Sequence, residues 1–298
     1  MLDVEELTKR YGDVLALDGC SFRIPQGRIV GFLGPNGAGK TTTMRCIFGL
    51  ARPDAGDIRW EGRPVGPAER LRFGYMPEER GLYPRMRVRE QLVYFAELSG
   101  VDGAAAGGAA DRWLDRLGLR ERASSRLEEL SHGNQQRVQL AAALVHEPEV
   151  VVLDEPFSGL DPIGVEGLAG MLAELASSGV AVMFSSHQLD LVEDVCQDVV
   201  IIDGGRIVLS GAVEELKASS AQRSLYVTVD GAQWVPDVAG VTVVPRQEGR
   251  AKVLVDASVD LNDLLELAKR AGEVTRFSFE PPSLSDLFRQ AVEGRGSL

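Results

Sequence analysis

An α/β fold built on a mixed sheet, followed by a small α+β domain, is what this sequence predicts, and three observations carry it. The runs Val150-Val151-Val152-Leu153 and Val180-Ala181-Val182-Met183-Phe184 are apolar without alternation. That is the pattern of strands buried on both faces, and hence of a parallel sheet covered by helices. Short strand-like runs alternate with helical patterns from Leu2 to about Gly211. Beyond Ser219-Ser220 the composition changes, and strands and helices continue without a recognisable catalytic constellation.

Taken in order, the strand-like runs of the first part are residues 21–24, 28–33, 57–60, 73–76, 150–154, 181–185, 198–203 and 206–209. The early ones read as hairpin-like and antiparallel. Between residues 84 and 148 the pattern is helical, at 89–98, 110–117 and 135–145, which predicts a helical subdomain inserted between two parts of the sheet. Its Ala/Gly stretch at 103–110 reads as a flexible connection. A helix at 212–218 then leads to strands at 225–229, 251–255 and 275–279 and helices at 261–269 and 283–292. The expected division is residues 1–217 and 218–298.

Composition bounds the function. Of 298 residues, 44% are apolar and 26% charged, enough to build a packed core. A net charge of −12 argues against a nucleic-acid surface, which needs clustered Lys and Arg, so no nucleic-acid partner is expected. Cys20, Cys46 and Cys196 are odd in number and widely spaced, fitting reduced core residues better than disulfides or zinc. No apolar run approaches the length of a membrane span, and the N-terminus lacks a basic, apolar signal region. A cytoplasmic chain is therefore expected, reaching any membrane through a partner.

The chemistry starts at Gly34-Pro35-Asn36-Gly37-Ala38-Gly39-Lys40-Thr41, placed between a short apolar strand and a helix that opens with Thr42. Glycines let successive amide N–H groups face phosphates, and the helix N-terminus adds positive dipole. Lys40 would bridge phosphate oxygens, and the Thr41 hydroxyl would ligate Mg²⁺. The strand at 150–154 ends in Asp154-Glu155, at the tip where ligands sit in such sheets. Asp154 can hold the hydration shell of Mg²⁺, and Glu155 can orient or deprotonate a water attacking the γ-phosphate. His187, ending the next strand-like run, is placed to donate to that phosphate. In Leu130-Ser131-His132-Gly133-Asn134-Gln135, Ser131 can cap a helix beginning near Asn134, and Gly133 allows a phosphate to approach it. On these residues alone, an ordinary helix cap is the stronger reading.

Together these motifs resemble, over residues 2 to 217, the nucleotide-binding subunit of an ATP-binding cassette (ABC) transporter. Residues 34–41 match the Walker A loop and 150–155 the Walker B strand. Ser158-Gly159-Leu160-Asp161 matches the D-loop, residues 130–135 the family signature, and His187 the switch histidine. The resemblance implies a P-loop NTPase fold of ABC type, ATP and Mg²⁺ as ligands, and nucleotide contacts from Ser131, Gly133 and Asp161. Tyr11 lies where the family has an adenine-stacking aromatic, although a core tyrosine would look the same in sequence. Two departures stand out. His132 and Asn134 replace Gly and Gln of the signature, and Glu78 stands where a metal-sensing Gln is usual. A carboxylate there can still ligate Mg²⁺ but adds negative charge beside the γ-phosphate.

The run Met76-Pro77-Glu78-Glu79-Arg80-Gly81-Leu82-Tyr83-Pro84 and the C-terminal Pro282-Ser283-Leu284-Ser285-Asp286-Leu287-Phe288 narrow the resemblance to bacterial ABC type 2 ATPases of the sodium-export and drug-export kind. The expectation is an ATPase that pairs with a second cassette, as a homodimer, and drives an export permease on another chain at the inner face of the cell membrane. Tyr83, Pro84, Met86 and the helix at 89–98 are the expected permease contact. Two alternatives remain at this point: a metabolite kinase with a P-loop, and a non-transport ABC mechanoprotein acting on nucleic acid or ribosomes.

Overall fold

Leu2, Val4 and Leu7 are fully or almost fully buried on β1 (Leu2–Tyr11), which turns at Gly12-Asp13 into the antiparallel β2 (Val14–Ile24). The structure, a computed structural model, describes residues 1–79, 81–229, 234, 238–244, 250–256 and 259–293. Arg80 of the narrower motif lies outside them. The fully buried β3 (Ile29–Leu33) leads through the glycine-rich loop to α1 (Lys40–Ile47). Next come β4 (Ala55–Trp60), the two-residue β5 (Arg63–Pro64), the short α2 (Pro67–Arg70) and β6 (Phe73–Met76). One sheet has the order β2-β1-β4-β5 and is antiparallel.

The helical insertion comprises α3 (Val88–Leu98), α4 (Gly103–Arg116) and α5 (His132–Leu144). Arg89 clamps Asp111 through two hydrogen bonds of 2.7 and 2.9 Å, fastening α3 to α4. The Ala/Gly stretch read as a flexible connection is the first half of α4. Ala106, Ala109 and Ala110 are buried there, so tertiary packing overrides the weak propensity of the glycines.

After α5 come β7 (Val150–Leu153), α6 (Pro162–Ser177), β8 (Ala181–Ser185), α7 (Leu189–Val195), β9 (Asp198–Asp203) and β10 (Arg206–Ala212). The second sheet has the order β10-β9-β3-β8-β7-β6, with β9, β3, β8, β7 and β6 parallel. The expected mixed α/β core is thus present. Its hydrophobic centre joins Leu7, Leu17 and Phe22 of the first sheet to Phe32, Val152 and Met183 of the second and to Met44 of α1. Phe22 and Phe32 stack with ring centroids 5.4 Å apart. Cys20, Cys46 and Cys196 are buried and free. Among the described residues no helix is long and apolar enough to cross a membrane.

The chain divides into two compact units at Ser210/Gly211, earlier than the composition change suggested, because α8 (Val213–Ser219) belongs to the second unit. That unit also holds β11 (Gln222–Val229), β12 (Val241–Val244), β13 (Arg250–Asp256), α9 (Leu261–Ala271), β14 (Val274–Glu280) and α10 (Leu284–Glu293). Its antiparallel sheet has the order β12-β13-β11-β14. Leu225, Val227 and Val229 alternate along β11 and pack, with Val253 and Val255, on Leu264 and Ala268 of α9.

The other face holds a buried ion pair. Asp286, near the start of α10, accepts from Lys252 Nζ at 2.6 Å, Ser224 Oγ at 3.0 Å and the Ser283 amide and hydroxyl at 2.9 and 2.7 Å. Burial by itself would raise its pKa, but these donors outweigh burial and hold the carboxyl below the usual range. A depressed folded pKa means stability that is present above the unfolded value and lost as pH falls through the folded one. Lys252→Met, which leaves Asp286 uncompensated, should destabilise this unit by about 3–5 kcal/mol. Urea unfolding followed by circular dichroism reads this directly; an unchanged transition would show that the pair contributes nothing.

Candidate nucleotide site

The loop between β3 and α1 is shaped by contacts that exclude side chains. A Cβ on Gly34 would lie 2.2 Å from the Ile202 carbonyl oxygen, and Gly39, at φ +113°, caps α1 in left-handed conformation. Hydrogen bonds from the Gly205 amide to Ala38 and from the Asp18 amide to Gly205 tie this loop to the β9–β10 turn and to β2. Lys40 leans over the loop and donates to the carbonyls of Gly34 (2.7 Å) and Pro35 (3.2 Å). Its ammonium therefore stands where a phosphate cradled by the loop would meet it.

Register brings the acids to this point. β7 pairs with β6 on one side and β8 on the other, aligning Leu153 with Met76 and Phe184, so the tips of three strands converge. Asp154 is 2% exposed and fully engaged. Its Oδ2 accepts from the Thr41 hydroxyl at 3.1 Å and its Oδ1 from the Ser185 hydroxyl at 2.6 Å. Ser185 Oγ in turn accepts the Glu155 amide at 2.9 Å. Glu155 has φ +51°, a left-handed conformation that costs a non-glycine residue of order 1–3 kcal/mol and that clusters at functional positions. His187 Nδ1 lies 3.0 Å from Glu155 Oε2. With the carboxyl ionised, the proton sits on Nδ1, and Nε2 becomes a donor only in the imidazolium form.

Burial raises the Glu155 pKa above the usual carboxylate range, partly offset by the hydrogen bond and charge of His187 and by Lys40, with Asp154 pushing the same way as burial. A carboxylate tuned upward in this manner is a better proton acceptor.

A cleft of about 470 Å³ opens over the loop. It is lined by Asn36, Gly37, Gly39, Lys40, Thr41 and Thr42 of the loop and α1, by Asp154, Glu155 and Glu78, and by Val14, Leu15, Ala16 and Gly204-Gly205. Thr41, Asp154 and Glu78 are oxygen donors of the kind Mg²⁺ uses together with phosphate and water. The described residues hold no cluster of three His, Cys, Asp or Glu that would cage a metal alone.

Other expected residues sit differently. Tyr11, 48% exposed at the β1–β2 turn under the ammonium of Lys9, is not among the residues lining the cleft. Its neighbours Val14 to Ala16 are, and no motif announced them. Helix α5 begins at His132 rather than near Asn134. Ser131 is the N-cap by backbone geometry, yet its hydroxyl makes no capping bond. A Cβ added to Gly133 meets nothing within 4 Å. Neither Ser131 nor Gly133 lines the cleft of their own chain. Asp161 is the N-cap of α6 and accepts the Gly164 amide at 2.7 Å, so its carboxylate is already engaged. Sequence reasoning missed Ser185, which bridges the two acids, and Gln139, which is 3% exposed and holds the loop carrying Glu78.

Comparison with known proteins places this geometry. Residues 17–158 match the ABC transporter family model, and residues 211–292 match the C-terminal domain of DrrA1-3-like ATP-binding proteins. The chain is 39% identical over 294 residues to the uncharacterized ABC transporter ATP-binding protein YhaQ of Bacillus subtilis (strain 168), covering 98% of each. It is 32% identical to the Nod factor export ATP-binding protein I of Paraburkholderia xenovorans (strain LB400), covering 96% of this chain and 95% of that protein. A solved ATP-binding subunit of an ABC transporter superposes with a TM-score of 0.68 at 32% identity, over 73% of this chain and 92% of its own. The fold and cleft define a P-loop ATPase, and the chain belongs to the ABC transporter ATP-binding proteins. It is the ATP-binding, ATP-hydrolysing subunit of such a transporter, with export-type relatives.

Proposed function

We propose that this subunit binds MgATP between two copies of itself and uses the resulting closure to drive an export permease on a separate chain. The observation that carries the reading is the one-sidedness of the cleft. Lys40, Thr41, Asp154, Glu155 and Glu78 line it, while the helix N-terminus at Ser131 and Gly133 lies outside that lining, with the Ser131 hydroxyl making no capping bond. A second copy presenting that N-terminus would close the site over the γ-phosphate.

In this scheme the amides of residues 36–41 and the Lys40 ammonium bind the phosphates, and Thr41, Asp154 and Glu78 would hold the Mg²⁺. Bound there, the ion neutralises charge on the phosphate oxygens. Glu155 accepts a proton from the attacking water, and His187 keeps that carboxylate oriented while its Nε2 faces the phosphate. Asp161 serves by fixing the start of α6, and Tyr11, exposed and paired with the cleft-lining Val14, is left as the adenine platform. Loss of the γ-phosphate removes the contact shared by the two copies, and this differential contact changes the conformation of whatever is attached. The surface for that attachment is the aromatic group Tyr83, Tyr94 and Phe95, with Tyr83 50% exposed and its ring 6.0 and 6.2 Å from the other two. It would seat the chain at the inner face of the membrane, and the Nod factor export relative motivates the outward direction.

Lys40→Ala tests the site. It deletes a charge-assisted contact worth about 1.5–3 kcal/mol, so ATP affinity by calorimetry should fall roughly ten- to a hundredfold. Unchanged affinity would contradict the phosphate-loop assignment. His187→Ala tests the pairing with Glu155. Because His187 lowers the Glu155 pKa, its removal should move the acidic limb of the ATPase pH profile to higher pH, beside a loss of rate. A limb that stays in place would separate the two residues.

A further inference from the structure

Helix α5 carries glutamines at 135, 136 and 139, and each holds a different loop. Gln135 Nε2 donates to the carbonyls of Leu127 and Leu130 at 3.0 Å each, and Gln136 Nε2 to Pro156, directly after Glu155, at 3.3 Å. Gln139 Nε2 donates to the carbonyl of Pro77 at 2.7 Å and to that of Glu79 at 3.3 Å, the residues on either side of Glu78. Gln139 is 3% exposed, and its Oε1 is buried without a hydrogen-bond partner among the described residues. An apolar side chain of similar length would avoid that penalty and pack as well. What it could not do is anchor two carbonyls that flank one residue.

We propose that Gln139 is a positioning residue for Glu78: by clamping both flanking carbonyls it aims the Glu78 carboxylate into the nucleotide cleft beside Thr41 and Asp154. The loop begins after Met76, the last paired residue of β6, so no strand pairing continues to hold it. Misplacement matters more for a carboxylate than for an amide here. A carboxylate that strays from the cation keeps its repulsion for the γ-phosphate and loses its compensation. The inference rests on the reading of Glu78 as a Mg²⁺-side ligand.

The test measures Mg²⁺ dependence of binding rather than turnover. In a Glu155→Gln background, calorimetry at fixed ATP gives the Mg²⁺ concentration for half-maximal nucleotide binding. Gln139→Leu should raise it about fivefold or more, with ATP affinity at saturating Mg²⁺ within about twofold of the parent. A double-mutant cycle assigns the route: if Gln139 acts through Glu78, Gln139→Leu should change nothing further once Glu78 is Ala. Gln139→Met, an unbranched and adaptable filler, repeats the measurement should the Leu variant fold poorly. An unchanged Mg²⁺ requirement in a folded variant overturns the proposal, as does an effect that persists at full size in the Glu78→Ala background. Collapse of both variants would assign Gln139 to core packing and overturn it too. No Mg²⁺-dependent binding in the parent chain itself would instead defeat the site reading on which the proposal stands.

Discussion

Glu155→Gln should slow ATP hydrolysis by roughly two to four orders of magnitude while nucleotide stays bound. The substitution is nearly isosteric, so the ring of His187 keeps a hydrogen-bonding neighbour at the same place, and the amide of residue 155 still donates to Ser185. What disappears is a carboxylate whose pKa burial raises toward that of a useful base. Lys40, Thr41 and Asp154 are untouched, so affinity should hold and ATP-bound dimers should accumulate on gel filtration. Phosphate release measured at saturating ATP decides the matter, and near-normal turnover would remove Glu155 from the chemistry.

Ser131→Arg should abolish hydrolysis through the opposite side of the nucleotide. Ser131 is exposed, caps α5 by backbone alone and spends its hydroxyl on no capping bond, so a single chain should fold and bind ATP as before. The long cation would fill the gap through which the α5 N-terminus approaches a partner's γ-phosphate. Activity should therefore be lost with single-chain affinity intact. Mixing this variant with Lys40→Ala sharpens the test. One composite site then pairs an intact Lys40 with an intact Ser131, and partial activity should return if the two sites work independently. Normal hydrolysis by Ser131→Arg alone would rule out shared sites.

How much could be read before the structure depends on whether the determinant is local. The phosphate loop, the acid pair and the signature are contiguous, and each is made of residue types that do one job. His187 needed only the neighbouring strand to be recognised as the next one in the sheet, as β7 and β8 are. Ser185 was invisible because a serine ending a strand is ordinary. Only the pairing of β7 with β8 makes it the bridge between Asp154 and the Glu155 amide. Strand β1 is absent from the strand-like runs of the sequence, and its register with β2 shifts between Val4 and Leu7 and again twice before Arg10, which breaks a period-2 pattern. The start of α4 read as a linker because glycine propensity is a local quantity, whereas burial of Ala106 and Ala110 is not.

The sequence by itself determined the α/β class, the phosphate chemistry and the family, since these rest on runs of residues whose backbone and charge requirements are met within a few positions. Tertiary structure alone decided which residues line the cleft. It brought Val14 to Ala16 into the lining, engaged Asp161 as a helix cap, and placed Gln139 of α5 on the loop that carries Glu78. The physical reason is that a hydrogen bond between residues 62 apart in sequence, as from Gln139 to Pro77, depends on how a helix packs against a sheet, and no short stretch of chain encodes that distance.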